Sequence, residues 1–167
     1  METNPAAAER FTLELLQQCF GFDAVKATPA TMIGVREFPV RHHALKKRVP
    51  IVAAPHPTAD SRRSGLDELQ QSFADGGRRR SATQLLQEYL NASDGALWGL
   101  ACDGATIRLM RDNVSLTRPA WIEADLNKIF ADGLFADFAV LLRLIHQSRF
   151  GRAGAPVADC PLERWRE

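Results

Sequence analysis

The residues best suited to chemistry in this chain are cations gathered in one internal segment. Arg78, Arg79 and Arg80 stand in a row directly before Ser81, where a helix opens; Arg41, Lys46, Lys47, Arg62 and Arg63 precede them. Guanidinium and ammonium groups in this number donate to phosphate oxygens whatever the base sequence, and a helix N-terminus adds its own positive end. Between Arg36 and Arg80 ten basic residues stand against five acidic ones, with His42 and His43 besides. The rest of the 167-residue chain carries 11 basic and 15 acidic residues, so the total of +1 hides a strongly basic stretch. Such a stretch is the expected contact for DNA, with a merely solvated loop as the plain alternative.

Groups that cut or transfer bonds lack the spacing that catalysis needs. No Gly-rich phosphate loop occurs, and the nearest stretch, Gly151 to Gly154, follows a helix instead of a strand. Cys19, Cys102 and Cys160 are odd in number and far apart, which fits a reducing compartment and neither a disulfide framework nor a zinc site. His42 and His43 point to opposite faces of a strand, His146 reads as a partly buried histidine satisfied by its neighbours, and Cys102 as a small core residue. Glu123, Asp125, Asp132 and Asp137 suit helix caps and first turns. No catalytic, cofactor or metal residue is expected in this chain.

The elements that must carry the cations follow from periodicity. Residues 6–20 form an amphipathic helix with Phe11, Leu15, Leu16, Cys19 and Phe20 on its apolar face, stopped at Gly21. Thr31 to Val40 and Val49 to Ala53 are strands, and 55–80 is a long basic loop in which Leu66–Phe73 supplies at most a helical turn or two. Ser81 with Gln84 forms a capping box for a helix that buries Leu85, Leu86, Tyr89 and Leu90. Residues 97–111 form a hairpin about Asp103-Gly104, the pair a type I′ turn prefers, with Trp98, Leu100 and Cys102 on one face. A strand at 120–124 leads into a short helix capped by Asp125, and 135–150 is an apolar helix burying Phe138, Leu141, Leu142 and Ile145. The predicted fold is therefore α/β (α+β), a small mixed sheet flanked by helices. Residues 1–150 make one domain and 151–167 a C-terminal extension toward a separate domain. No apolar run reaches 18 residues, and the start has no basic-then-apolar leader, so a cytoplasmic protein without membrane contact is expected.

From Ser81 onward the text becomes specific. SATQLLQEYLNASDGALWGLACDGATIRLMRDNVSLTRPAWIEADLNKIF, then LFADFAVLLRLIHQSRF and the closing CPLERW, resembles the N-terminal region of large adenine-specific DNA methyltransferases of restriction–modification and phage-defence systems, the DISARM type included. The resemblance covers about half of the chain. It implies a methyl-transfer domain downstream, binding S-adenosylmethionine through a Gly-rich loop and carrying an Asn-Pro-Pro-aromatic motif. This chain has no adjacent prolines, so that motif is absent and no cofactor is expected here. The strand, Asp-Gly turn and strand after a helix also resemble the late part of a PD-(D/E)XK nuclease fold. That chemistry needs two acids and a lysine around Mg²⁺. Here no acid is followed by lysine two positions on, and Val49 to Ala53 has no carboxylate. The resemblance thus implies a nuclease-like scaffold without its catalytic motif. The expected role is binding DNA, or the methyltransferase domain or another defence protein, with Trp165 as an exposed partner anchor. A divergent Mg-dependent nuclease and a purely structural interaction domain are the alternatives.

Overall fold

A computed structural model describes residues 5–56, 69, 73–75, 78–113 and 120–166. In chain order these are helix α1 (Pro5–Gln18), strands β1 (Lys26–Ala27), β2 (Thr31–Ile33), β3 (Arg36–Phe38), β4 (His42–Ala44), β5 (Val49–Ala53), β6 (Phe73–Asp75) and β7 (Arg78–Arg80), and helix α2 (Ala82–Ala92). Strands β8 (Trp98–Cys102), β9 (Thr106–Arg111) and β10 (Trp121–Asp125) follow, then α3 (Leu126–Ala131), α4 (Phe135–Ile145), a 3₁₀ turn (Gln147–Phe150) and α5 (Pro161–Arg166). The expected small mixed sheet between helices is present. Its six strands run in the order β1-β4-β5-β8-β9-β10, and all neighbours are antiparallel except β5 and β8. Those two are parallel because α2 carries the chain back across the sheet between them, as a parallel pair requires.

Both faces of the sheet are covered. Ile51, Leu100, Cys102, Ile107 and Leu109 pack on one side with Leu15 and Leu16 of the first helix, Phe20 just beyond it, and Leu141 and Ile145 of α4. Val52, Ala101 and Met110 pack on the other with Leu85, Leu86, Tyr89 and Leu90 of α2. The two sets alternate along each strand, as the pleat dictates. Gly99 lets α2 sit close, since a Cβ there would lie 2.7 Å from Leu86 Cδ1 and 3.1 Å from Pro50. The capping box at α2 is complete: Ser81 Oγ accepts from Gln84 N at 3.1 Å, and Gln84 Oε1 accepts from Ser81 N at 3.1 Å.

Several boundaries differ from the sequence reading, each for a local reason. The buried face of α1 is Ala8, Thr12, Leu15 and Leu16, whereas Phe11 and Cys19 are exposed. Thr12 can be buried because its hydroxyl donates to Ala8 O at 2.8 Å. Thr31 to Val40 is a hairpin, β2 with β3, forming a separate small sheet. Among its described residues the stretch 55–80 holds the β6–β7 hairpin, and Leu69, inside Leu66–Phe73, is in 3₁₀ conformation. The β8–β9 turn is tightest at Gly104-Ala105, not Asp103-Gly104. Asp103 N donates to Thr106 O at 3.3 Å, and of the two corner residues Gly104 alone has positive φ, the pattern of a type II′ turn. Asp103 stays outside the corner because its Oδ1 accepts from Ala105 N and Thr106 N at 2.8 and 2.7 Å. The final apolar helix ends at Ile145: His146 turns to extended backbone (φ −58, ψ 139), and its Nδ1 accepts from Ser148 N.

The C-terminal segment folds back onto the same core through two arginines. Arg48, buried at the end of the β4–β5 turn, donates to the carbonyls of Phe150, Ala155, Pro156, Val157 and Asp159, the middle three at 2.6–3.1 Å. Arg111 holds Glu163 in a two-point pair at 2.7 and 2.9 Å, and Trp98 Nε1 donates to the same carboxylate at 2.8 Å. The pair holds the Glu163 carboxyl below its usual range, chiefly through the Arg111 hydrogen bond. Cys160 and Leu162 are buried beside these contacts.

Candidate functional site

The predicted cations separate into three groups. Arg41, Lys46 and Lys47 are exposed at the β1–β4 edge of the main sheet, and no described carboxylate pairs with them. Arg80 is half-buried and donates to Glu88 at 3.0 Å, on a carboxylate that also receives Arg36. Arg62 and Arg63 lie outside the described residues, and Arg78 and Arg79 are placed as backbone of β7 only. Trp165 is 55% exposed on α5, with the Arg149 guanidinium over its ring at 5.1 Å.

The edge gathers a further cation that sequence reading passed over. Lys26 on β1 pairs across the strands with His43, and Thr28 N donates to Arg41 O at 2.7 Å, so the two chain segments are held together there. The only hint in the sequence was an isolated lysine before a proline-containing stretch, too little to assign a partner strand. Lys46 and Lys47 owe their position to an unusual turn. Leu45, Lys46 and Lys47 have φ of 50, 56 and 71°, three successive non-glycine residues in the left-handed region. L-residues pay roughly 1 kcal/mol or more each for this conformation, which occurs mostly at single positions. Arg48, anchored on five carbonyls immediately after them, and its N–H donating to Leu45 O at 3.3 Å, hold the turn in this shape.

The two histidines of β4 point to opposite faces, as a strand requires. His42 Nε2 lies 3.2 Å from Glu9 Oε1 on the α1 side. His43 turns toward α2, its Nε2 3.2 Å from the Tyr89 hydroxyl. Burial is the main cause that lowers both imidazoles, with His43 pushed to about 4, and Lys47 adds to the effect on His43. Both rings are therefore neutral at pH 7.

Compared with protein-family models, curated proteins and solved structures, the chain matches none. The site must be read from its own geometry.

A second polar cluster stands at the carboxyl ends of the parallel strands, where ligands of such sheets often bind. Asp103 follows β8 and is fully buried; its Oδ2 has no described hydrogen-bond partner, and burial raises its carboxyl. Two residues beyond β5's continuation at Ala54, His56 lies beside Gly104, and its charge would lower the same carboxyl. The Asp103 ring of N–H contacts nevertheless belongs to the turn it shapes. Cys102, next to it, is fully buried with its thiol pushed up to about 11 by burial, which leaves no thiolate for nucleophilic work. Among the described residues no three His, Cys, Asp or Glu side chains group closely enough to hold a metal ion.

Proposed function

We propose that this chain is a non-catalytic nucleic-acid-binding module of the kind found at the N-terminus of adenine-specific DNA methyltransferases in restriction–modification and phage-defence systems, built on a nuclease-like scaffold. The observation that carries the reading is the separation of the cations. Described acids neutralise Arg36, Arg80, Arg108 and Arg111, while Arg41, Lys46, Lys47 and Lys26 stay free of such pairs along one sheet edge. Unpaired cations on a rigid edge contact phosphates without reading bases. The β8–β9 hairpin following α2 supports the scaffold, since the resemblance rests on a helix followed by strand, turn and strand.

If about five phosphates are neutralised, duplex affinity falls with salt at a log–log slope on the order of −4 to −5. Arg41→Ala/Lys46→Ala/Lys47→Ala should weaken binding evenly across unrelated duplexes and reduce the slope by about 3, with the unfolding midpoint little changed. A slope near zero in the parent chain would overturn the proposal. Arg78→Ala/Arg79→Ala tests the remaining part of the basic segment without touching the Arg80–Glu88 pair. Salt-independent capture of a protein domain instead of DNA would point to the interaction-module reading, with Trp165 and the 80%-exposed Phe135 as contact residues.

A further inference from the structure

A concave site lies at the same sheet edge, and it is built for a smaller ligand than a duplex. Its cavity of about 590 Å³ is of the size that holds a small organic ligand. Lys26, Lys46 and Lys47 line it, against one acid, Asp23. His43, Thr28 and Gln147 line it as well, while Phe22, Ala44 and Leu45 supply apolar wall.

Two polar atoms here lack a purpose within the fold. His43 is 98% buried, since only 2% of it is exposed, and its Nδ1 has no hydrogen-bond partner. Thr28 Oγ1 is buried and equally without one. Buried polar groups are nearly always paired, so two orphans lining one cavity call for an explanation. In the tautomer whose Nε2 accepts from Tyr89, the His43 ring donates at Nδ1. Its Nε2 faces the Tyr89 hydroxyl at 3.2 Å; with Nε2 accepting that proton, the neutral ring carries its own hydrogen on Nδ1. The lining residues therefore carry an N–H and a hydroxyl that are buried behind the cavity surface, together with a carboxamide and three ammonium groups. Two of those lysines stand in the left-handed Leu45–Lys47 turn, and strained backbone of this kind clusters at ligand sites.

We infer that this cavity binds a phosphate monoester, the group carried by a free nucleotide or by the 5′ end of a nucleic-acid strand. A dianion matches three lysines offset by one aspartate, and the donors outnumber what a carboxylate can accept. The remaining volume and the apolar wall leave room for a nucleoside. The inference shares Lys26, Lys46 and Lys47 with the duplex proposal but does not depend on it, because Thr28 serves the cavity alone.

The test titrates the full chain with dAMP, inorganic phosphate, deoxyadenosine, succinate and a short single strand with or without a 5′-phosphate, followed by calorimetry and by the NMR signals of the Thr28 methyl and the His43 ring. Saturable binding of dAMP with shifts at both residues is expected, and none with deoxyadenosine. Thr28→Val keeps the shape and removes the orphan hydroxyl; it should lower dAMP affinity about tenfold while leaving stability equal or higher and duplex binding unchanged. Lys26→Ala, at an exposed position, should lower it similarly. Preference for the 5′-phosphorylated strand over dAMP would identify a strand end as the source, and the reverse a free nucleotide; either supports the site. Absence of saturable dAMP binding, or succinate binding as tightly as dAMP, or full affinity in both variants, would overturn it. Loss of duplex binding with dAMP binding retained would remove the duplex reading alone.

Discussion

At the scale of single residues, one arginine does a job its neighbours in the sequence do not. Arg48 adds to the charge of the basic stretch, yet it is buried and spends its donors on backbone carbonyls. Arg48→Ala should cost about 3 kcal/mol or more, since several buried carbonyls lose their partners at once, and Arg48→Lys should recover little because an ammonium cannot reach them in a fixed fork. The urea midpoint of the full chain measures both. Arg108 teaches the same lesson. It alternates with Ile107 and Leu109 along β9, but its face is covered by α2, and Arg108 is fully buried between Glu123, Thr83 Oγ1 at 2.7 Å and the Trp121 ring at 4.5 Å. Sequence gives charge and alternation; it does not say whether a second layer covers the strand. His43 adds a pH dependence. The fold holds its ring neutral with a pKa near 4, so the unfolded chain, titrating near 6.5, takes up a proton first. Stability from this group is complete above pH 6.5 and declines as pH falls toward 4. His42 is lowered too and acts in the same direction, so His43→Gln should flatten only part of the acid limb in unfolding free energy against pH. An acid limb as steep as the parent's would count against the buried neutral ring.

At the scale of elements, the legible parts are those where local chemistry and tertiary packing agree. The α2 capping box is stated by Ser81 and Gln84 three residues apart, and both reciprocal bonds form. Ser81→Ala should therefore lower stability by about 1 kcal/mol in thermal or urea unfolding. The β8–β9 hairpin was equally plain from Asp103-Gly104, but its corner shifted by one residue because the Asp103 side chain competes for the turn's own N–H groups. Strand β5 was read with its bounds, whereas β1 was not, being two residues long and defined only by its partner β4. Short edge strands leave almost no periodic signal, and this is why the edge site was only half visible: Lys46 and Lys47 by charge, His43 by its place in the basic segment, Lys26 and Thr28 not at all. Gly99 belongs to the same scale. Gly99→Ala drives a methyl group against Leu86 and Pro50, and a loss of about 1–3 kcal/mol is expected in thermal unfolding.

At the scale of the whole molecule, the sheet divides the apolar residues into two cores, and the C-terminal segment closes one of them. Cys160 and Leu162 join the α1–α4 side, and the Arg111–Glu163 pair with Trp98 ties α5 across the end of the β8–β9 hairpin. Because the pair lowers Glu163's pKa, its contribution is present above the ordinary carboxylate range and is lost as pH falls through the lowered value. Glu163→Gln should thus remove acid sensitivity at low pH and loosen residues 151–166 to proteolysis. The general architecture was predictable, since strand, helix and strand runs in this order leave few arrangements. The return of the last segment was not: its residues have no period, and what holds it is a carbonyl cluster, which no side-chain pattern announces.

The Arg48 anchor spans sequence separations of 102 to 111 residues. During synthesis its carbonyl partners leave the ribosome long after the turn itself has emerged. The turn carrying Lys46 and Lys47 therefore waits, open and unclamped, while more than a hundred later residues are added. A nascent chain arrested with residue 150 just outside the exit tunnel should be cut readily near residues 45–48, and one arrested after the final helix has emerged should not.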